Sequence, residues 1–543
     1  MSLDRASALQ LVRVASQELD RAMKTMGIPG QPKPFFISSL LREEESWRIK
    51  AKYGSLNVDT HDRTRNGFID VRVGSHRSDQ LRDGGLDDND KEAESYSYVD
   101  LPFGSSLDGL RHGLWRLTEA RYRESLESLL DKKSHELTYL DPHRNIPAFE
   151  KHKPVVDLSW QSFPEVDHDQ WAEYVERASA TLKSCKGVKD SYVEFQAEHT
   201  CRILINSEGT RLLHCQPIWS VECYIWLLSN QGHSFPWTIK HMVTEPSELP
   251  MLAEFRKQIR AAVKQLRRLA KAPTVRSFSG PAWLDPVPAG LLIHEAVGHR
   301  LEGSRLLSTG EGQTFKDSLG RKILPEFLSI RDNPTLSSYD GKSLVGHYLY
   351  DDEGVPARDA ELASKGVLKQ FLTTRTAIAR RHHSSGHARA QYHQRPISRM
   401  GVMVIETENG YDDREMKQLL LEEIRQQDVA FGIHILEASS GETTTDAYNF
   451  QAFLGEAGLA AKVYPDGREE LVRGVNFVGT PLNAIRNITA AGTRVAVDNA
   501  FCGAESGYVP VSTISPGLII SELELQSKPE APYTPYNFLM PWE

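Results

Sequence analysis

The stretch LLIHEAVGHRLEG, residues 291–303, decides how the fold is interpreted. It carries His294, Glu295 and His299, the residue types of a zinc-protease helix, but the histidines are five positions apart. In the common H-E-x-x-H motif they lie about 40° apart around an α-helix, whereas the spacing found here separates them by about 140°. A widened π-type turn or a break near Gly298 would return both imidazoles to one face. The stretch predicts either a metal-binding helix with a local distortion or an amphipathic helix with two polar histidines.

The residues just before this stretch favour the metal-binding interpretation. AWLDPVPAG, residues 282–290, is typical of a short strand followed by a helix start, with Asp285 and Pro286 at the boundary. The next residues, 291–293, are apolar, so we expect the helix to be buried. A glutamate on such a helix must be paired or used in chemistry, because an isolated buried charge is costly.

The composition of the chain limits the classes of function. At 543 residues it is too long for a single core, so two or more domains are expected. The net charge of −9 gives no electrostatic footprint for nucleic acid. The sequence has no apolar run of about 18 residues, and residues 1–23 form a charged amphipathic pattern unlike a signal peptide. We therefore expect a cytoplasmic protein without nucleic-acid or membrane partners.

The cysteines agree with a reducing compartment. Five of them are present, an odd number, and no two form a C-x-x-C pair. Neither feature is typical of a disulfide framework. Their positions are 185, 201, 215, 223 and 502.

The pattern along the chain predicts an α+β protein with largely antiparallel sheets. Helical patterns cover residues 107–131, 167–184 and 251–271, and short β-rich runs fill residues 34–74, 188–228 and most of the chain after 340. The basic face of the helix at 251–271 is interpreted as a solvated surface. Composition changes at KAPTVRSFSGPAW, residues 271–283. We therefore predict an N-terminal α+β domain at 1–275, a β-rich C-terminal domain at 276–526 with the metal-binding helix, and a tail at 527–543.

A catalytic zinc takes three protein ligands and keeps one open position, so a third ligand is needed. Glu302 is one candidate, although it could equally be a salt-bridged residue. A histidine cluster offers four more candidates among arginines, which is more typical of a polar loop: His382, His383, His387 and His393. Cys502, in a segment expected to be a loop leading to a strand, is the remaining candidate. Its alternative interpretation is a small buried apolar residue.

Four segments, in this order, resemble the TldD/PmbA family of metallopeptidases, historically labelled modulators of DNA gyrase. They are GPAWLDPVPAGLLIHEAVGHRLEG (280–303), YDDEGVPARDAELASKGVLKQFL (350–372), RGVNFVGTPLNAIRNITAAG (473–492) and FCGAESGYVPVSTISPGLIISELELQ (501–526). The resemblance implies a two-domain TldD/PmbA-like architecture. It also implies that His294, His299 and Cys502 hold one divalent metal per chain. Zn²⁺ is expected, and the donor types leave Fe²⁺ as the alternative. Glu295 is then the catalytic residue.

The resemblance also implies the partners. Peptides or unfolded polypeptides would be the substrates, and the chain would form a homodimer or a heterodimer with a family member. The apolar tail EAPYTPYNFLMPWE, residues 530–543, is expected either to join such an interface or to pack on its own domain. The chain departs from the family pattern in a long N-terminal extension, in this tail, and in Ala504-Glu505-Ser506 after Cys502-Gly503.

Three functions are compatible with these observations. The first is a metallopeptidase that hydrolyses short or unfolded peptides. The second is another metal-dependent amide hydrolase, because peptide deformylases also use two histidines and a cysteine. The third is a non-catalytic regulatory subunit of a TldD/PmbA-type complex, against which the retained His-Glu-x-x-x-His motif argues.

Overall fold

The computed structural model describes residues 4–527 except 82, 84, 87–98, 105, 139–144, 230, 276, 309, 444, 446–452 and 480. The predicted tail at 527–543 therefore lies outside the described residues apart from its first residue. Within the described part of the chain, no helix is both long and apolar enough to cross a membrane.

The N-terminal half is built around one sheet with helices on its faces. Its elements are α1 (Arg5–Thr25), β1 (Pro34–Lys52), β2 (Ser55–Ser75), β3 (Ser78–Asp79), α2 (Asp108–Thr138), β4 (Val156–Asp157), α3 (His168–Ala180), β5 (Val188–Asn206), β6 (Arg211–Leu228), β7 (Ser234–Val243) and α4 (Leu252–Leu269). The strand order is β3-β2-β1-β5-β6-β4, with β7 pairing to β6. All of these pairs are antiparallel except β4 with β6. Strands β1 and β2 contain continuous buried runs, at 36–43 and 65–73. Successive side chains of a strand point to opposite faces, so the sheet is covered on both faces there.

Helix α4 shows why the helical pattern was readable from the sequence. Phe255, Ile259, Val263 and Leu266 recur at helical spacing and are buried in one apolar cluster with α3 and the sheet. Burying each such side chain stabilises the fold by about 1.5–3 kcal/mol. The basic side chains of α4 lie on its opposite, largely exposed face. The helical predictions are confirmed, with α2 longer than expected and α3 continuing as a 3₁₀ turn over Thr181–Ser184.

The C-terminal half is dominated by strands. Its elements are β8 (Phe278–Leu284), α5 (Pro286–Ala296), β9 (Leu328–Asp332), β10 (Ser338–Tyr339), β11 (Lys342–Ser343), β12 (Ala360–Ser364), β13 (Val367–Leu368), β14 (Ala388–Arg389), β15 (Ile397–Ser398), β16 (Val402–Thr407), β17 (Gly410–Tyr411), α6 (Asp413–Gln426), β18 (Gly432–Thr443), β19 (Phe453–Val463), β20 (Glu469–Val472), β21 (Val475–Gly479), α7 (Pro481–Arg486), β22 (Ile488–Ala504) and β23 (Gly507–Ser527). The largest sheet of the described residues has twelve strands, most of them antiparallel. The α+β fold class with largely antiparallel sheets is therefore confirmed.

Five strands of this sheet close on themselves and hold α5. The order β23-β21-β19-β18-β8 returns to its start, because β8 pairs with β18 on one side and with β23 on the other. Helix α5 packs against β18, β22 and β23. Ala289, Leu292, Ile293 and Ala296 of α5 are fully buried in the main core of this half. The helix is therefore fixed relative to β22, which carries Cys502.

The structure contains one disulfide bond, although the cysteine pattern did not indicate a disulfide framework. Cys201 on β5 and Cys215 on β6 are joined by an S–S bond. The register of the two antiparallel strands sets these residues directly opposite each other, so their side chains project to the same face of the sheet. Their positions in the sequence, 14 residues apart, do not reveal this register. Cys185, Cys223 and Cys502 are free.

Candidate metal centre

Helix α5 begins where the sequence predicted. Asp285 is the N-cap residue and Pro286 occupies the first turn, where its missing N–H is not needed. The Asp285 carboxylate does not cap the helix but contacts His434 Nε2 and Arg494 Nη2, each at 2.9 Å. These contacts tie the start of α5 to β18 and β22. The start of the helix is thereby held on the same strands that surround the site.

The helix ends between the two histidines. The α-helical part stops at Ala296, and residues Gly298–Leu301 form a 3₁₀ turn. A Cβ on Gly298 would lie 2.2 Å from Met400 Sδ, so any larger residue at the break would require the buried Met400 side chain to move. The predicted local distortion near Gly298 is present as a break followed by a 3₁₀ turn, and not as a π-type turn. A 3₁₀ turn advances about 120° per residue, which brings the second imidazole round toward the first.

Three potential ligand atoms converge at this break. His294 Nε2 lies 3.3 Å from Cys502 Sγ, and His299 Nε2 lies 3.4 Å from the same sulfur. The ligand atoms of all three residues lie within 4.8 Å of one another, and all three residues are buried. Two imidazoles and a thiol are donors that suit Zn²⁺ and Fe²⁺. The chemistry of the donor set therefore fits a divalent transition metal.

Cys502 reaches the helix from a strand, and its assignment to a loop is wrong. It lies in β22 and pairs with Val509 of β23. The glycines of the segment FCGAESG are typical of a loop, but the ladder of hydrogen bonds continues to the pair Ala504 and Gly507. Gly507 has φ +81°, which permits the tight turn between the two strands. The rigid hairpin holds the thiol opposite α5.

The other candidate ligands point elsewhere. Glu302 Oε2 lies 3.1 Å from His299 Nδ1, on the side of the ring away from Cys502. His382 contacts the Thr374 carbonyl oxygen and His387 contacts Asp332. Within the described residues, only one other group could bring metal ligands together, namely His199 with the disulfide-bonded Cys201 and Cys215.

Glu302 belongs to a buried ionic network behind His299. Its Oε2 lies 3.2 Å from both Nε and Nη2 of Arg305, and its Oε1 lies 3.4 Å from Arg399 Nε. Burial raises the pKa of Glu302, but His299, Arg305 and Arg399 outweigh burial and lower it to about 2. Arg305 also contacts Glu505 at 2.7 Å and Glu311 at 2.9 Å. A carboxylate that accepts from the second nitrogen of a ligating histidine fixes the tautomer and orientation of the ring.

Arg399 is a residue of the site that the sequence interpretation missed. It is fully buried, and its Nη2 donates to the Cys502 carbonyl oxygen at 2.6 Å and lies 3.3 Å from Cys502 Sγ. The sequence feature that indicates its burial is its position in ISRMGVMVIE, residues 397–406, where a single arginine interrupts an apolar run. A buried arginine must have partners, but the sequence does not say which ones.

The three candidate ligands influence one another's protonation in the protein. Burial raises the pKa of Cys502, but the nearby His299, Arg399 and His294 lower it well below the ordinary value of a thiol. Burial lowers the pKa of both histidines, and the Cys502 thiolate more than reverses this effect, so both pKa values are raised. Without a metal, the cluster therefore favours a thiolate beside protonated imidazole. A cation that binds there replaces protons.

Glu295 lies beside this cluster at the wall of a cleft. Its Oε2 is 4.0 Å from His299 Nε2, and its backbone carbonyl oxygen accepts from Arg300 at 2.7 Å. The cleft has a volume of about 910 Å³ and is bordered by β7 of the N-terminal half and by β18, β19 and β22. Six carboxylates and two cationic side chains line it: Glu295, Glu437, Glu442, Glu456, Asp498 and Glu505, with Lys240 and Arg305. The site is therefore open to a sizeable ligand and negatively charged.

A family model agrees with the resemblance seen in the sequence. Residues 279–527 match the model described as PmbA/TldA metallopeptidase C-terminal domain. This segment contains α5, β22 and all three converging ligand atoms. Among curated proteins, a metalloprotease from Methanothermobacter thermautotrophicus is 25% identical over 85% of this chain and 96% of its own length. Residues 279–527 therefore form a C-terminal domain of the TldD/PmbA family.

Other TldD/PmbA relatives match over a shorter range. A metalloprotease from Archaeoglobus fulgidus is 32% identical over 47% of this chain, and a zinc metalloprotease TldD homologue from Saccharolobus solfataricus is 27% identical over 48%. In both cases the match spans 55% of the relative's length, about half. These names support a metallopeptidase at the level of the family.

Solved structures show that the TldD/PmbA fold extends over nearly the whole chain. TldE from Thermococcus kodakarensis has a TM-score of 0.60 at 12% identity, over 96% of this chain and all of its own. A Thermotoga maritima protein described as a modulator of a DNA gyrase has a TM-score of 0.61 at 14% identity, over 95% of this chain and all of its own. At such identities the likeness concerns the fold alone. The expectation of a long N-terminal extension is wrong, because both neighbours cover that half too.

Proposed function

We propose that this chain is a metal-dependent peptidase in which His294, His299 and Cys502 hold one divalent metal and Glu295 is the catalytic base. The observation that supports it most is the convergence of two imidazole nitrogens and one thiol sulfur at the edge of a large cleft, with a carboxylate beside them. The metalloprotease names of the relatives support it at the family level. The metal is proposed to be Zn²⁺, with Fe²⁺ as the alternative for this donor set.

The roles of the side chains follow from their chemistry. A divalent ion held there would polarise the scissile carbonyl and make a water molecule a better nucleophile at neutral pH. Glu295 can accept a proton from the attacking water and deliver it to the leaving amine. The contact of Glu302 with Nδ1 keeps Nε2 of His299 free to bind the cation. The hairpin of β22 and β23 keeps the Cys502 thiolate in place without a flexible loop.

The substrates are proposed to be short or unfolded peptides. A cleft of about 910 Å³ is within the usual size range of ligand sites and can take several residues of an extended chain. Its lining has more carboxylates than cationic side chains, and Arg305 is already surrounded by Glu302, Glu311 and Glu505. We therefore expect peptides with lysine near the scissile bond to be hydrolysed with a higher kcat/KM than matched peptides with glutamate.

The test combines metal analysis with peptide hydrolysis. Purified protein is expected to contain about one metal ion per chain, and a chelator should abolish cleavage of a peptide library. Glu295→Gln should keep the metal but lose hydrolysis, because glutamine is nearly isosteric but cannot take a proton. Cys502→Ser should lose the metal, while Cys185→Ser and Cys223→Ser, which change the other two free cysteines, should keep it. Full metal content in Cys502→Ser would contradict the assignment.

The same assay separates the alternative functions. A formylated methionyl peptide, added as one arm of the library, tests the deformylase-type reaction that uses the same donor set. A protein that binds metal but hydrolyses no member of the library would agree with a non-catalytic subunit.

Pairing with a second copy or a family member is a further proposal, and light scattering at micromolar concentration checks it. A fully active monomer would contradict it.

A further inference from the structure

Arg399 connects the two segments that supply the candidate ligands. Its Nη1 donates to Ser506 Oγ at 3.0 Å and to the Gly507 carbonyl oxygen at 2.8 Å, at the turn after β22. Its Nη2 donates to the Cys502 carbonyl oxygen at 2.6 Å and reaches the sulfur at 3.3 Å. Its Nε faces Glu302 Oε1 at 3.4 Å. One fully buried guanidinium therefore contacts both the thiol of β22 and the carboxylate behind His299.

The position of this charge has an electrostatic reason. Cys502 as a thiolate and Glu302 as a carboxylate are two anions in a region shielded from water. Arg399 lies against both anions, and among the described residues its Nε and the Glu302 Oε1 that it faces have no hydrogen-bond partner beyond this contact. Without the guanidinium, both anions would lose a cationic neighbour in a medium of low dielectric constant, where an uncompensated charge is costly. Only arginine offers five donors in a rigid planar fork that can reach sulfur, carbonyl and carboxylate together.

We propose that Arg399 is a positioning residue that donates to the Cys502 sulfur and fixes the thiolate, and through Glu302 also His299, in the arrangement that binds the metal. The inference rests on the proposed function, since it concerns the same metal centre. It predicts two separate effects. The guanidinium raises metal affinity by holding two ligands in place, and it withdraws electron density from the sulfur, which weakens electron donation to the metal.

The alternative is that Arg399 only stabilises the fold, as other buried arginines do. Arg375 provides the matched control because it is equally buried but contacts Glu208 and the Glu150 carbonyl oxygen, away from the candidate ligands. A comparison of Arg399→Met with Arg375→Met therefore separates a role at the sulfur from the general effect of removing a buried cation.

The experiment uses the full chain loaded with Co²⁺, whose thiolate-to-metal charge-transfer absorption reports on the sulfur. In the parent this absorption is expected, and competition with a chromophoric chelator gives the affinity. Arg399→Met should bind Co²⁺ about 10- to 100-fold more weakly and shift the absorption to longer wavelength, because the sulfur lone pairs are no longer stabilised. Arg375→Met, with its fold checked by circular dichroism, should keep the parent's affinity and wavelength.

A lysine variant keeps the test decisive if Arg399→Met does not fold. Arg399→Lys retains a cation but cannot make all the contacts of the fork, so its affinity and absorption should lie between those of the parent and the methionine variant. An unshifted absorption in folded Arg399→Met or Arg399→Lys would overturn the proposal, as would an equal loss of affinity in Arg375→Met. A parent without any thiolate absorption would overturn the proposed metal centre itself, whereas an unshifted variant overturns only the role of Arg399.

Discussion

Replacing Glu302 by glutamine tests whether the network behind His299 stabilises the protein through charge. Glutamine has nearly the same shape and can still accept a hydrogen bond from His299 Nδ1. It cannot balance the two arginines that Glu302 contacts, Arg305 at 3.2 Å and Arg399 at 3.4 Å. Removing one partner of a buried ion pair leaves the other charges uncompensated, which is strongly destabilising.

The size of the effect follows from the pKa of the carboxylate. The surrounding charges lower the pKa of Glu302 from 4.5 to about 2. A pKa difference of one unit between the folded and unfolded states corresponds to about 1.4 kcal/mol, so the ionised carboxylate contributes about 3 kcal/mol to the free energy of unfolding. Because the pKa is lower in the folded than in the unfolded state, this contribution is fully present above pH 4.5. It is lost as the pH falls from about 4.5 to about 2.

The assay is urea unfolding of metal-free protein in the presence of a chelator, so that metal binding does not add to the measured stability. At pH 7, Glu302→Gln should be less stable than the parent by about 3 kcal/mol. Glu311→Gln is the control, since Glu311 also contacts Arg305, at 2.9 Å, but is less buried and shares that arginine with two other carboxylates. It should cost less than about 1 kcal/mol. A Glu302→Gln variant as stable as the parent, or a control that is equally destabilised, would refute the reasoning.

Two further changes test other parts of the structure. Burial and the neighbouring Glu198 raise the pKa of Glu44 from 4.5 to about 7 in the folded protein. Because Glu44 then loses its proton more readily in the unfolded state, the free energy of unfolding of the parent should fall as the pH rises from about 4.5 to about 7. Glu44→Gln should remove this loss and be more stable than the parent at pH 8 by about 1–3 kcal/mol. Urea unfolding at pH 5 and pH 8 measures the difference, and the same pH dependence in the variant as in the parent would contradict the reasoning. Gly441→Ala would add a Cβ 2.7 Å from Leu291 and 3.2 Å from Glu295. Because this displaces the proposed base, peptide hydrolysis should fall at least about 10-fold while the metal content stays unchanged. Full activity would show that β18 can move away.

Local patterns in the sequence determined a large part of this protein. The periodicity of residues 251–271 predicted α4, and the proline-bearing start at Asp285 predicted α5. The motif around His294 and His299 supplied two of the three converging ligand atoms. These features depend on side chains only a few residues apart in the sequence. Such side chains recur at the period of a helix or strand and lie on one face of it, so the sequence alone reveals them. Four family segments together also indicated the α+β fold.

The tertiary structure decided what the local pattern left open. Cys502 lies 208 residues after His294, and its approach depends on the pairing of β22 with β23 and on the packing of α5 against both strands. Arg399 became part of the site because the hairpin turn and the Cys502 carbonyl oxygen are within reach of its guanidinium. The Cys201–Cys215 bond likewise depends on strand register. Register and packing arise from the simultaneous burial of many distant apolar residues, so no short stretch of sequence contains them.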